Sequence, residues 1–182
     1  YFKSLKYYKL AAKFNLPVAY YNIALLYFNG YGIQQDFIIA RQYLETAASL
    51  NDLDAFNKLG ELYMNGYGVQ QDFEKGRIHF EYAARQYHPL ALCNLGKVYL
   101  LGNGVEPNLN LAIKYLEKAS KFNDSSSYCL LGNIYIDNKD YIKAKECFDQ
   151  AYRLDNSYSL IGFGSLYFNG LGVKKDLAKA KE

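Results

Sequence analysis

A chain of 182 residues that is 51% apolar has material for a continuous core, and no apolar run approaches the roughly 18 residues that cross a bilayer. A net charge of +3, spread along the chain, is too small for the basic stripe of a nucleic-acid binder. Three cysteines cannot close a disulfide framework; with no amino-terminal secretion pattern, the expectation is reduced thiols in a cytoplasmic protein.

Residues 1–17 place Ser4, Tyr8 and Ala11 in a spacing that recurs on later helices. This segment reads as the second half of an earlier repeat. The chain starts and stops inside helical patterns, so it is expected to be a piece of a longer protein. Units follow at 18–53, 54–89, 90–125, 126–157 and, incompletely, 158–182. Each opens with a helix, here helix A, built around a small residue: Ala24, Gly60, Gly96, Gly132 and Gly164, at intervals of 36, 36, 36 and 32. A residue without bulk there lets a neighbouring helix approach. Tyr27, Tyr63, Tyr99 and Tyr167 come three places on. Helix A then ends at Gly30, Gly66, Gly102 and Gly170, where glycine closes a helix in the left-handed conformation at little steric cost. A second glycine lies two residues on, and Ile33, Val69, Val105 and Val173 tuck back under the turn.

Helix B begins at Asp36, Asp72, Asn108, Asp140 and Asp176, all good N-caps. Its apolar stripe is small–large–small, as in Ala40, Leu44 and Ala47 or Gly76, Phe80 and Ala83. That is a packing seam. Pro17 and Pro89 share one position in the loops between units and suit the first turn of a helix. Self-similarity at this period means stacked helical hairpins. The expected fold is all-α: a right-handed α-solenoid of stacked antiparallel helix hairpins.

The run LGELYMNGYGVQQDFEKGRIHFEYAA, residues 59–84, resembles the Sel-one-like repeat (SLR), a relative of the tetratricopeptide repeat, and its pattern recurs along the chain. Residues 131–156, LGNIYIDNKDYIKAKECFDQAYRLDN, lack the glycine turn and resemble a tetratricopeptide repeat, where a change of curvature is expected. The resemblance implies adaptors that hold signalling, quality-control or cell-wall-synthesis complexes together. Several members occur in bacteria that live with eukaryotic hosts, which makes a secreted or host-translocated protein the alternative to a cytoplasmic one.

The resemblance also implies that helix A lines a concave groove. By register the groove side chains are Tyr21, Asn22, Leu25 and Phe28, then Asn57, Lys58, Glu61 and Met64. The third unit offers Cys93, Asn94, Lys97 and Leu100; the fourth Cys129, Asn133 and Ile136; the fifth Ile161, Ser165 and Phe168. Phe28, Met64, Leu100, Ile136 and Phe168 either form an open apolar row or pack against the next unit. Asn22, Asn57, Asn94 and Asn133 either bond the backbone of an extended peptide or are solvated. Glu61 and Lys97, on adjacent helices, read as an exposed ion pair between repeats, the alternative being a cationic spot for a partner carboxylate.

Neither His79 nor His88 has a partner at metal-ligand spacing. The glycine pairs end helices instead of opening one after a strand, so they are not phosphate loops. The chain is therefore read as no enzyme, with no catalytic residue, metal or cofactor. The favoured function is a protein-interaction scaffold that binds a partner peptide or helix in the groove. A regulatory or targeting segment of a larger enzyme is the alternative, and an RNA-binding helical repeat is disfavoured by the mild charge. Nucleic-acid binding and membrane insertion are not expected. Self-association through the apolar faces left at the ends is.

Overall fold

The computed structural model describes residues 2–181, which form ten α-helices and no strand. The chain divides into two compact units. The first comprises Tyr1–Ala91 with Asn103–Glu106, the second Leu92–Gly102 with Pro107–Glu182.

In the first unit α1 (Phe2–Ala12) is succeeded by the hairpins α2 (Pro17–Asn29) with α3 (Phe37–Ser49), and α4 (Leu53–Asn65) with α5 (Phe73–Arg85). The second unit takes most of α6 (Pro89–Leu101), then α7 (Leu109–Ser120), α8 (Ser125–Asp137), α9 (Tyr141–Arg153) and α10 (Tyr158–Asn169). Even-numbered helices are helix A of their repeat, odd-numbered ones helix B.

The predicted caps form. Asp36 accepts from the backbone N–H of Ile38 and Ile39, Asp72 from Lys75, Asn108 from Leu111 and Asp140 from Lys143. Each such cap stabilises its helix by about 1 kcal/mol. Asp176 also accepts from Ala178 and Lys179. Among the described residues, however, it leads into a 3-10 turn, Lys179–Lys181, and not into the expected α-helix.

Gly30, Gly66 and Gly170 close helix A in the left-handed region, with φ near +70°. Side chains serve the carbonyls left over there. Gln35 Nε2 donates to the Phe28 carbonyl (2.8 Å) and Gln71 Nε2 to that of Met64 (2.7 Å). Asn29, Asn65 and Asn169 each donate to the carbonyl four residues back. Helix B ends differently: Asn15, Asn51, Tyr87, Asn123 and Asp155 hold φ between 54° and 64°, a conformation that Asn and Asp tolerate better than Tyr.

The hairpins pack through the small–large pairing. A Cβ added to Gly60 would lie 2.4 Å from the ring of Phe80, and one on Gly76 2.8 Å from Met64. These two contacts run in opposite directions along the helices, as an antiparallel pair requires. Gly96 receives Leu116 in the same way. The Phe148 ring is held between Gly132 and Gly162. Beside this seam the helix A tyrosine stacks on helix B: Tyr27 on Tyr43, Tyr63 on His79 and Tyr99 on Tyr115, with centroids 5.5–6.0 Å apart. Val69 and Val173 fold back onto the cores of their units. Ser127 and Ser159 are fully buried where other repeats carry Ala; their hydroxyls bond Asp124 and the Asn156 carbonyl, so neither is left unsatisfied.

The second glycine of the turn has a role the sequence did not reveal. At Gly68 an added Cβ would lie 2.6 Å from Phe37 Cβ, at Gly104 2.5 Å from Phe73 Cβ, and at Gly172 2.6 Å from Tyr141 Cβ. Each turn thus rests on the first residue of helix B one repeat back, and only a bare backbone fits.

Candidate partner-binding surface

The surface available to a partner is set by which stripe of helix A faces its own helix B. Residues 57, 60 and 64 share one helical face by their i, i+3, i+7 spacing, and Gly60 is packed on Phe80. Asn57 (4% exposed) and Met64 (9%) are therefore buried with it, as is Cys93 at the equivalent place on α6. The expectation that these residues line an open groove does not hold. The same stripe on α2 runs Tyr21, Ala24 and Phe28.

Tyr21 is half-buried against the core between α2 and α4. Burial, with the carboxylates of Asp54, Glu61 and Asp52 adding to it, pushes its hydroxyl up to about 12. Phe28 packs edge-on to Phe37 and Tyr67, centroids 5.1 and 5.5 Å away, and Lys58 Nζ sits 4.8 Å over its ring. Phe28 thus fills the space under the next repeat's turn. Ile136 is half-buried against the core of Ala144, Phe148 and Leu166. Leu100 is half-buried. Of the expected apolar row only Phe168 stands open, at 57%, with Lys175 over its ring.

The stripe that does face outward lies one position round. On α2 it holds Asn22 and Leu25, both half-exposed; Asn22 Nδ2 donates to the Val18 carbonyl (2.8 Å). On α4 it holds Lys58 and Glu61. Lys58 Nζ donates to Glu61 Oε2 (2.6 Å), and Asn57 Nδ2 to Glu61 Oε1 (3.1 Å). Glu61 is thus paired inside its own helix. In the second unit Lys97 Nζ approaches Asn94 Oδ1 (3.5 Å) on α6, and Asn133 is exposed on α8.

Sequence reasoning missed the flanks of this stripe. Val18 (57% exposed) and Asp54 lie four residues before Asn22 and Lys58, and Leu101 (66%) lies four after Lys97. Extending the same spacing by one turn finds them. Asp54 Oδ1 also meets His88 Nε2 at 3.0 Å, while His88 Nδ1 accepts from the Ala91 N–H and so caps α6. Burial raises the thiol pKa of Cys93 and Cys147 to about 11, and that of Cys129 upward too. This suppresses the thiolates that nucleophilic chemistry needs. Among the described residues no group of His, Cys, Asp and Glu has the arrangement of a metal site, and no helix is long and apolar enough to cross a membrane.

Glycine-closed first helices, Asp- or Asn-capped second helices and a small–large seam define a helical-repeat protein of the α-solenoid class. Residues 1–13, 17–52, 54–88, 89–121 and 157–182 match the Sel1 repeat, and residues 125–158 match the tetratricopeptide repeat. The chain belongs to the Sel1 repeat family. It is similar to a Sel1 repeat protein from Oxalobacter formigenes, with 33% identity and a TM-score of 0.86 over 97% of this chain and 74% of that one. It is also similar to a protective antigen of uropathogenic Escherichia coli that displays an SLR fold, with 30% identity and a TM-score of 0.84 over 97% of this chain. Only 38% of that antigen is covered. An immunity protein from Pseudomonas aeruginosa, 22% identical, shares the fold with a TM-score of 0.72 over 97% of this chain and 69% of its own. No curated protein matches the sequence.

Proposed function

We propose that the chain is a protein-interaction scaffold that holds a peptide or helix of a partner along the outward stripe of its A helices. The observation that carries this reading is the stripe itself. Asn22, Leu25, Lys58 and Glu61 in the first unit, and Asn94, Lys97 and Asn133 in the second, stay exposed or half-exposed at matching repeat positions. Its mixture of amide, apolar and charged groups suits a peptide, whose backbone and side chains need all three. Tyr21 and Phe28 support the stripe from behind, fixed by packing, so little ordering accompanies binding. Leu100, Ile136 and Phe168 border it at the turn edge.

Two double variants test the reading, Asn22→Ala with Leu25→Ala and Asn94→Ala with Lys97→Ala, against a helix B control, Gln42→Ala with Glu45→Ala. Affinity capture from native lysate is expected to lose partners with the first two and retain them with the control. Equal capture by all three refutes the assignment.

A further inference from the structure

We propose that Asn103 is a site of spontaneous covalent modification: the Gly104 nitrogen displaces its amide through a succinimide, which opens to aspartyl and isoaspartyl forms and unseats the turn of the third repeat. Four Asn–Gly pairs occur in the chain, Asn29–Gly30, Asn65–Gly66, Asn103–Gly104 and Asn169–Gly170. All four have the sequence for ring closure, because a glycine carries no side chain to keep its nitrogen from the neighbouring amide. The fold treats three of them alike and one differently.

Asn29, Asn65 and Asn169 are the last residues of α2, α4 and α10. Their Nδ2 atoms donate to the carbonyls of Leu25 (2.9 Å), Glu61 (2.7 Å) and Ser165 (3.0 Å). The glycine N–H that follows donates to the carbonyl of Leu26, Leu62 or Leu166. Both reacting groups are thus held, the amide and the nitrogen that must attack it. In the third repeat the pair has moved along the turn. Leu101 ends α6 and Gly102 closes it, with its N–H on the Val98 carbonyl (2.9 Å). Asn103 and Gly104 come after the helix, the first half-buried and the second exposed. Among the described residues nothing bonds the Asn103 side-chain amide or the Gly104 N–H.

The reaction needs water and no other reagent. The deprotonated Gly104 nitrogen bonds to Asn103 Cγ, the Cγ–Nδ2 bond breaks, and ammonia leaves with the proton. Water then opens the ring on either side. One opening restores the backbone and leaves a side-chain carboxylate. The other runs the backbone through Cβ and Cγ and lengthens it by one carbon. Gly104 has no room for that: a carbon added at its Cα would lie 2.5 Å from Phe73 Cβ. The lengthened turn therefore no longer rests on α5. The site lies inside the chain, away from both ends, and does not depend on the A-helix stripe.

Peptide mapping tests the assignment. The intact chain is held at mildly alkaline pH, digested with pepsin in acid, where the ring does not form, and the peptides are weighed. The peptide with Asn103 is expected to gain the mass of an amide-to-acid exchange, in two chromatographic forms, roughly tenfold or more faster than those with Asn29, Asn65 and Asn169, which must first give up two hydrogen bonds. In urea the four rates are expected to converge, since the fold makes the difference. An Asn103 that stays intact overturns the proposal, as does another pair reacting as fast in the folded chain, or rates that stay apart in urea. Aged protein is expected to melt below fresh protein, whereas Asn103→Tyr, which copies Tyr31 and Tyr67 of the other turns, ages without that loss. Equal melting of aged and fresh wild type refutes the unseating of the turn.

Discussion

Gly66→Ala and Gly68→Ala make a matched pair that separates backbone conformation from repeat stacking. The two glycines have φ of +70° and +66°, so a side chain at either carries the same left-handed penalty, roughly 1–2 kcal/mol. They differ in space. At Gly66 the atoms nearest an added Cβ are Gln71 Cβ, Gln71 N and the Val69 carbonyl, all at 3.3 Å. At Gly68 the nearest is Phe37 Cβ at 2.6 Å, with the Phe37 carbonyl carbon at 3.1 Å and Ile38 N at 3.2 Å behind it. No rotamer change moves a Cβ, so α3 or the turn must shift, at an overpacking cost of about 1–3 kcal/mol. Gly66→Ala is therefore expected to destabilise by about 1–2 kcal/mol and Gly68→Ala by about 2–5 kcal/mol. Urea unfolding tracked by far-UV circular dichroism measures both. Phe37→Ala in the Gly68→Ala background should not rescue, because alanine keeps the obstructing atom. Equal losses at the two glycines, or rescue by Phe37→Ala, refute the stacking argument.

Lys139 holds φ +61° where helix A of the fourth repeat ends; Lys139→Gly is expected to raise stability by about 0.5–1 kcal/mol in the same urea assay, the relieved strain outweighing the added chain entropy. Burial holds the His79 imidazole below its ordinary value of 6.5, with Glu45 opposing the shift. The unfolded chain then takes up the proton first, so the stability due to the neutral ring is complete above about 6.5 and is lost as pH falls from there through the folded value. His79→Tyr, which copies Tyr43 and Tyr115, is expected to show a smaller fall in Tm between about pH 7.5 and 5 than the wild type. His88 caps α6 and bridges to an exposed Asp54. Because a cap outweighs a surface bridge, His88→Ala is expected to cost about 1 kcal/mol more than His88→Asn, which keeps an acceptor at the cap; equal melting of the two variants contradicts this ranking.

The repeat period, the N-caps Asp36, Asp72, Asn108 and Asp140, and the closing glycines were readable in the sequence because each is a local signal, acting within one turn of chain. The seam was readable too, since Gly60 and Phe80 fall at fixed steps from those markers. Asn57 and Met64 show where local reading ran out. Their spacing from Gly60 places all three on one stripe, but whether that stripe faces solvent or helix B is decided by the hairpin partner, and the assignment to the groove took the wrong side. Phe28 and Ile136 were equally undecided, because what covers Phe28 is the turn residue Tyr67 of the next repeat and what covers Ile136 is the core of Ala144, Phe148 and Leu166.

The sequence by itself determined that this chain folds as helical hairpins in register, because helix start, stop and amphipathic face are encoded over a few neighbouring residues. Only the tertiary structure decided which residues of helix A remain for a partner, why the second turn glycine is needed, and that Glu61 is satisfied by Lys58 and Asn57. Those outcomes depend on where a chemically distant helix or turn comes to rest against the first, and on how closely two backbones approach there, which no local pattern records.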